Sequence, residues 1–99
     1  MNYNISNEAA LDLEEIWLYT FEHWSIEQAD KYYNQLLNEI EYISKNPKSG
    51  KDFSNFRKGY FRAKVNSHLI FYRINQSENF VEIIRVLHQS MDIQSKLGE

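Results

Sequence analysis

The 99-residue chain contains no cysteine. Disulfides, cysteine-ligated zinc, iron–sulfur clusters and thiol catalysis are therefore excluded together. Three glycines and one proline are too few for a collagen-like or Pro/Gly-rich disordered chain. No apolar run approaches the roughly 20 residues that a membrane helix needs, so no helical span is expected. Met1 to Asn7 has neither a basic n-region nor a long apolar core, so no secretory signal is expected and a cytoplasmic location fits. Gly50, Gly59 and Gly98 stand alone, and no phosphate-cradling loop or nucleophile-elbow motif occurs. His23, His68 and His88 lack metal-ligand spacing with one another or with a carboxylate. Neither a metal nor a cofactor is expected.

What remains is an ordinary globular composition, 42% hydrophobic and 25% charged, at a length suited to one domain spanning residues 1–99. The net charge of −3 is unevenly spread. Residues 1–50 carry three lysines against nine acids, while residues 51–99 carry eight bases against five acids. Between Phe53 and Ser77 there is no acid, against Arg57, Lys58, Arg62, Lys64 and Arg73. An acidic half is thus joined to a basic half, and an anionic partner would dock on the second. The chain as a whole is too acidic for a general nucleic-acid binder, and no sequence-specific nucleic-acid binding is expected.

The hydrophobic period changes near Pro47. Tyr3 to Ser6 reads as a short strand, with Ser6 then placed to cap a helix. Ala9, Leu13, Ile16, Trp17, Phe21 and Trp24 form one helical stripe, while Asp12, Glu14, Glu15 and Glu22 fall mostly off it. Ser25 and Gln28 have the spacing of a capping box that opens a second helix. Its stripe is Ala29, Tyr33, Leu36, Ile40 and Ile43, widened by Tyr32 and Leu37. The helix should stop near Lys45-Asn46, because Pro47 disfavours helical geometry in the residue before it. With almost nothing between them, the two helices should form an antiparallel hairpin.

Three strands are expected after the Pro47–Gly50 turn: Tyr60 to Asn66, His68 to Ile74, and the nearly continuous apolar run Phe80 to Leu87. Asn66-Ser67 is a two-residue turn candidate. The tail from Ser90 has room for one short helix, anchored by Met91 and Leu97. The fold class is therefore α+β, with an N-terminal strand and a helical hairpin packed on one face of a mostly antiparallel sheet. The opposite face should be open unless a partner covers it, and should carry the row Tyr60, Arg62, Lys64. Arg62, Arg73 and Arg85 lie on three successive strands, where they would bind phosphate or carboxylate if their registers converge. With Tyr60, Tyr72 and His88 nearby, such a cluster would also suit RNA binding, or RNA cleavage with His as acid or base.

Several motifs resemble one family. Ser6 with Ala9-Ala10, Asp12-Leu13, Ile16 and Tyr19 is similar to the opening of ParE-type toxins of the RelE/ParE superfamily. So are Gln28-Ala29 with Tyr32 and Leu36, Asn46-Pro47 with Gly50, and His68-Leu69-Ile70-Phe71-Tyr72-Arg73. The most specific stretch is Ile84-Arg85-Val86-Leu87-His88-Gln89 followed by Met91-Asp92. The resemblance spans nearly the whole chain. It implies the toxin of a type II toxin–antitoxin pair, a small cytoplasmic bacterial protein neutralised by a ParD-like antitoxin. ParE-type members are described as inhibitors of DNA gyrase, which blocks replication and growth. RelE-type relatives instead cleave mRNA on the ribosome.

Two departures separate the chain from the ribonuclease branch. Leu69 follows His68 where some ribonuclease members carry an arginine, and Gln89-Ser90-Met91-Asp92 follows His88 where some end in a His-Tyr-type tail. On the gyrase reading no catalytic residue is needed. Tyr60, Arg62, Lys64, Arg85, His88, Met91 and Asp92 would then meet the target. Trp17, Phe21, Trp24, Tyr33, Arg62 and Arg73 would meet the antitoxin. On the ribonuclease reading His68, Arg62, Arg73, Arg85 and His88 would carry the chemistry.

Overall fold

The computed structural model describes residues 1–98. In chain order it has β1 (Asn2–Ile5), α1 (Asn7–His23), α2 (Ile26–Lys45), β2 (Lys51–Asp52), β3 (Tyr60–Val65), β4 (His68–Asn75), β5 (Phe80–His88) and α3 (Ile93–Lys96). Both expected caps form. The Ser6 hydroxyl accepts from the Ala9 N–H at 3.0 Å and the Ser25 hydroxyl from the Gln28 N–H at 3.0 Å. Each cap satisfies one orphan donor of a first helical turn.

The sheet order is β1-β5-β4-β3-β2. The three long strands pair antiparallel, while β1 lies parallel to β5, so the sheet is mixed. Parallel pairing is possible at that edge because the helical hairpin supplies the crossover between β1 and the sheet. Asn66 adopts a φ of 52° in the β3–β4 turn, a conformation that asparagine tolerates better than most side chains, so no glycine is needed there.

The main core lies between the hairpin and the sheet. Leu36, Ile40 and Ile43 of α2 are fully buried against Ile70, Tyr72, Val81 and Ile83. Each aliphatic side chain buried in this way stabilises the fold by about 1.5–3 kcal/mol. The α1 stripe is shorter than its periodicity predicts. Ala9 and Leu13 are buried and Ile16 packs partly, but Phe21 and Trp24 are exposed. The last turns of α1 lean on α2 instead, where the Trp17 indole N–H donates to Asp30 at 2.8 Å.

The opposite sheet face differs from its expectation more sharply. It is covered by the chain itself. Leu69, Phe71, Leu87 and Leu97 form a second buried cluster, with Phe53, Phe56, Ile84 and Ile93 packed on it. The 53–57 loop and α3 therefore act as a cover. Leu97 anchors the tail as expected, whereas Met91 is exposed and Ile93 takes the second anchoring role. Tyr60, expected in an open row, is buried, with its ring centroid 6.0 Å from that of Phe56.

One irregularity organises β5. Phe71 pairs with Arg85 and Tyr72 with Ile83, so Ile84 is an extra residue, a β-bulge. The bulge flips the alternation. Ile83 and Val86 both face the hairpin although they are three positions apart, and Ile84 and Leu87 both face the outer cluster. This is why the sequence Phe80–Leu87 reads as continuously apolar rather than alternating.

Candidate functional site

The three strand arginines do not converge. Arg62 lies with its guanidinium carbon 5.5 Å from the Phe53 ring centroid, a cation–π contact on the outer face. Arg73 pairs with Glu82 on the neighbouring strand at 2.9 Å. Arg85, beside the bulge, turns to α1. Its Nε and Nη2 donate to the two Asp12 oxygens at 2.8 and 2.9 Å, and its Nη1 donates to the Lys96 carbonyl at 2.7 Å. Asp12 also accepts from the Val86 N–H at 2.9 Å, a strand donor beyond the end of β1. The two side chains are only 18% and 12% exposed. Asp12, expected on a solvated helix face, thus joins α1, β5 and α3 through Arg85. The ion pair raises the Arg85 pKa further, chiefly through its hydrogen bond to Asp12.

The remaining expected residues divide between two places. Lys64 is exposed on β3, near Arg62 on the same strand. Asp92 caps α3, its carboxylate accepting from the Ser95 N–H. Trp17 and Phe21 stack with centroids 5.4 Å apart, and Trp24 is 76% exposed at the end of the hairpin. Tyr33 is half-buried against the main core. His68, His88 and Met91 line a cleft of about 780 Å³ between the hairpin, the β3–β4 turn and the end of β5. Tyr32, Tyr19, Glu15 and Trp24 line it as well. The helical stripe identified Trp24 and Tyr32 as apolar positions but did not reveal that they share a cleft with the histidines. That depends on β4 and β5 being neighbours.

The hydrogen bonds orient both imidazoles. The Tyr32 hydroxyl lies 3.0 Å from the Val65 carbonyl oxygen and 2.6 Å from His68 Nδ1, so the phenol anchors the His68 ring through Nδ1. In His88, Nδ1 accepts from the Ser90 N–H at 3.1 Å and lies 2.7 Å from the Ser90 hydroxyl, so in the neutral ring Nε2 carries the proton. His68 and His88 are cross-strand partners, with rings edge to face at 5.2 Å. Burial, and then the neighbouring His88, lower the His68 pKa to about 4. Near neutral pH His68 is therefore uncharged and a weak base.

Among the described residues no group of three or more potential ligands is placed to hold a metal, and no helix is long and apolar enough to cross a membrane. A phosphate brought to the histidines would find no strand arginine disengaged there, because Arg85 is held by Asp12 and Arg62 and Arg73 contact outer-face groups.

The fold is that of toxins from type II toxin–antitoxin systems. The chain superposes with a TM-score of 0.76 on a structure described as the chromosomal ParDE system of P. aeruginosa, covering 89% of this chain and 95% of that one at 16% identity. With the RelBE2 toxin–antitoxin complex of Mycobacterium tuberculosis the TM-score is 0.59, at 21% identity over 88% and 95% of the two chains. Those likenesses establish the fold alone, and sequence supplies the family. The model of the ParE toxin of the type II toxin–antitoxin system parDE matches residues 3–93. Toxin ParE1 of Caulobacter vibrioides is 44% identical over 96 residues, 97% of each chain. Toxin ParE1 of M. tuberculosis is 37% identical over 95 residues, 96% of each chain. The chain belongs to the ParE toxin family of type II toxin–antitoxin systems.

Proposed function

We propose that this toxin acts by binding DNA gyrase, so that replication and growth stop, and that a ParD-like antitoxin neutralises it. The family supports both partners. The dispersal of the three strand arginines supports binding over catalysis. RNA cleavage needs a base at the 2′-hydroxyl, an acid at the leaving oxygen and cations on the phosphate. Here the candidate base is held near pKa 4 and each arginine has another contact.

The target surface on this reading is the exposed part of the basic strand row, Arg62 and Lys64, together with His88, Met91 and Asp92. Arg85 contributes by holding α3 in place through the Lys96 carbonyl. The antitoxin covers the hairpin aromatics Trp17, Phe21 and Trp24, and its acidic residues pair with Arg62 and Arg73. Purified gyrase should lose its ability to supercoil relaxed plasmid negatively as this protein is titrated in, and antitoxin should restore it. A folded, antitoxin-competent protein that leaves supercoiling intact would overturn the gyrase reading and favour ribosome-dependent mRNA cleavage.

A further inference from the structure

Helix α1 turns Ala9, Leu13 and Ile16 to the core, yet it also holds a second apolar stripe that the fold does not use. Leu11, Leu18 and Phe21 are 55%, 47% and 43% exposed. Leu11 and Leu18 are seven residues apart, two turns of helix, and so share one side of α1, with Phe21 nearly one turn further on. Four glutamates frame this stripe. Glu8, Glu15 and Glu22 repeat at the same seven-residue spacing along one flank, and Glu14 lies on the other between Leu11 and Leu18. All four are exposed, and among the described residues none of them forms an ion pair. α1 itself carries no lysine or arginine, and His23 at its end is stacked on Tyr19. Arg85, which feels Glu8 and Glu15, is occupied by Asp12 and the Lys96 carbonyl, and Lys31 shares the histidine cleft with Glu15. Glu14 and Glu22 line neither that cleft nor the clamp.

The spacing and the sign of the charge together select an occupant. A second copy of this chain would bring four more glutamates to the same face, and a nucleic acid or an anionic lipid surface would also be repelled. A helix with aliphatic residues along one seam and lysine or arginine on both sides of it satisfies the stripe and its frame at once. The face from Glu8 to Glu22 is about 21 Å long, so a helix of about 15 residues covers it. We propose that this face of α1 seats a basic amphipathic helix of the antitoxin, its aliphatic residues on Leu11, Leu18 and Phe21 and its cations beside the four glutamates. The proposal rests on the antitoxin docking on the hairpin. It adds Leu11 and Leu18 to that surface and fixes a partner charge opposite to that of the acidic residues that meet Arg62 and Arg73.

Two measurements on the full-length toxin test it. First, antitoxin affinity and melting temperature are compared for wild type, Leu11→Gln with Leu18→Gln, Glu14→Lys with Glu22→Lys, and Trp24→Ala. The control, Glu41→Lys with Glu78→Lys, makes the same charge change on α2 and on the β4–β5 loop. Each α1 pair should lose about tenfold or more in affinity with unchanged melting, because every altered side chain is exposed, while the control should stay within about twofold. Unchanged affinity in either α1 pair, or an equal loss in the control, would overturn the proposal. If both α1 pairs bind normally and Trp24→Ala does not, this seat is refuted while docking on the hairpin stands. Failure of wild type to bind antitoxin would overturn both. A dimer of the isolated toxin in sedimentation, dispersed by Leu11→Gln with Leu18→Gln, would assign the face to a second copy instead. Second, a benzophenone photocrosslinker placed at Leu18 is activated in the complex and its attachment mapped by mass spectrometry. The captured antitoxin segment should carry more lysine and arginine than acid, and capture of an acidic segment would overturn the charge assignment.

Discussion

Asp12→Ala should be among the most damaging single substitutions in this domain, although Asp12 lies on a helix that otherwise displays its acids to water. The carboxylate accepts three hydrogen bonds, from Arg85 Nε and Nη2 and from the Val86 N–H, at 2.8–2.9 Å. Removing it strands a guanidinium that is 18% exposed and a backbone donor on β5. Breaking a buried ion pair on one side costs about 3–5 kcal/mol, and the residual exposure here argues for the lower end. An unsatisfied buried N–H alone costs about 1–3 kcal/mol, so the two effects overlap within a total of about 3 kcal/mol. For a domain of this size each kcal/mol shifts the midpoint by about 4–8 °C, which puts the expected fall at roughly 12–24 °C. Glu82→Ala is the internal control. Its ion pair with Arg73 has similar length, but the side chains are 45% and 27% exposed, so the loss should be within about 1 kcal/mol. Calorimetric melts of Asp12→Ala, Arg85→Ala, the double variant and Glu82→Ala complete a mutant cycle. Equal melting of Asp12→Ala and Glu82→Ala, or strict additivity of the first two, would refute the clamp.

Four further outcomes are expected. Gly50→Ala should lower stability by about 1–3 kcal/mol in urea unfolding, because its new methyl would lie on Tyr72 Oη and 2.8 Å from the Arg62 carbonyl oxygen. Stability should fall as pH drops from about 6.5 to 4, because the unfolded chain protonates His68 in that window while the folded chain resists until about 4; His68→Gln should flatten this slope in pH-dependent melts. Lys64→Glu should weaken gyrase inhibition in the supercoiling assay with little change in melting, since the side chain is exposed on β3. The melting temperature should climb with antitoxin concentration by mass action, and a flat response at saturation would argue against binding to the folded state.

The elements were legible because their signals are local. The serine caps, the stripe of α2 and the stop before Pro47 are each fixed within a few residues of sequence. The two-residue β2 escaped notice because such a strand exists only through its pairing with Arg62 and Phe61. The covered outer face was missed for a related reason. Phe53 and Phe56 carry no period, and only the return of the chain across Phe71 makes them a lid. The candidate site was half legible. Residue type pointed to His68, His88 and the arginines, but which of them meet depends on strand order and on one bulge. Ile84 is the residue that the alternation could not accommodate, and its insertion shifts the parity of every position after it. Arg85 at that shift reaches α1, and Asp12, one position from the buried stripe, is there to receive it.

This geometry also gives the proposed neutralisation a mechanism that a list of residues cannot. His88 and Met91, assigned to the target, lie in the same cleft as Trp24, assigned to the antitoxin. Arg62 and Lys64 are on β3, and the Arg62 guanidinium rests on the outer-face cover at Phe53. An antitoxin that covers the hairpin aromatics and pairs with Arg62 therefore occludes the cleft end of the target surface and leaves Lys64 as the uncovered part of the basic strand. Gyrase could then still meet the basic strand, but only through its weaker, more exposed and more salt-screened part. Neutralisation by overlap at the cleft thus requires that His88 and Met91 supply more of the target affinity than Lys64 does. The order follows from desolvation, since His88 is half-buried and positioned by Ser90, whereas Lys64 is a flexible side chain in water.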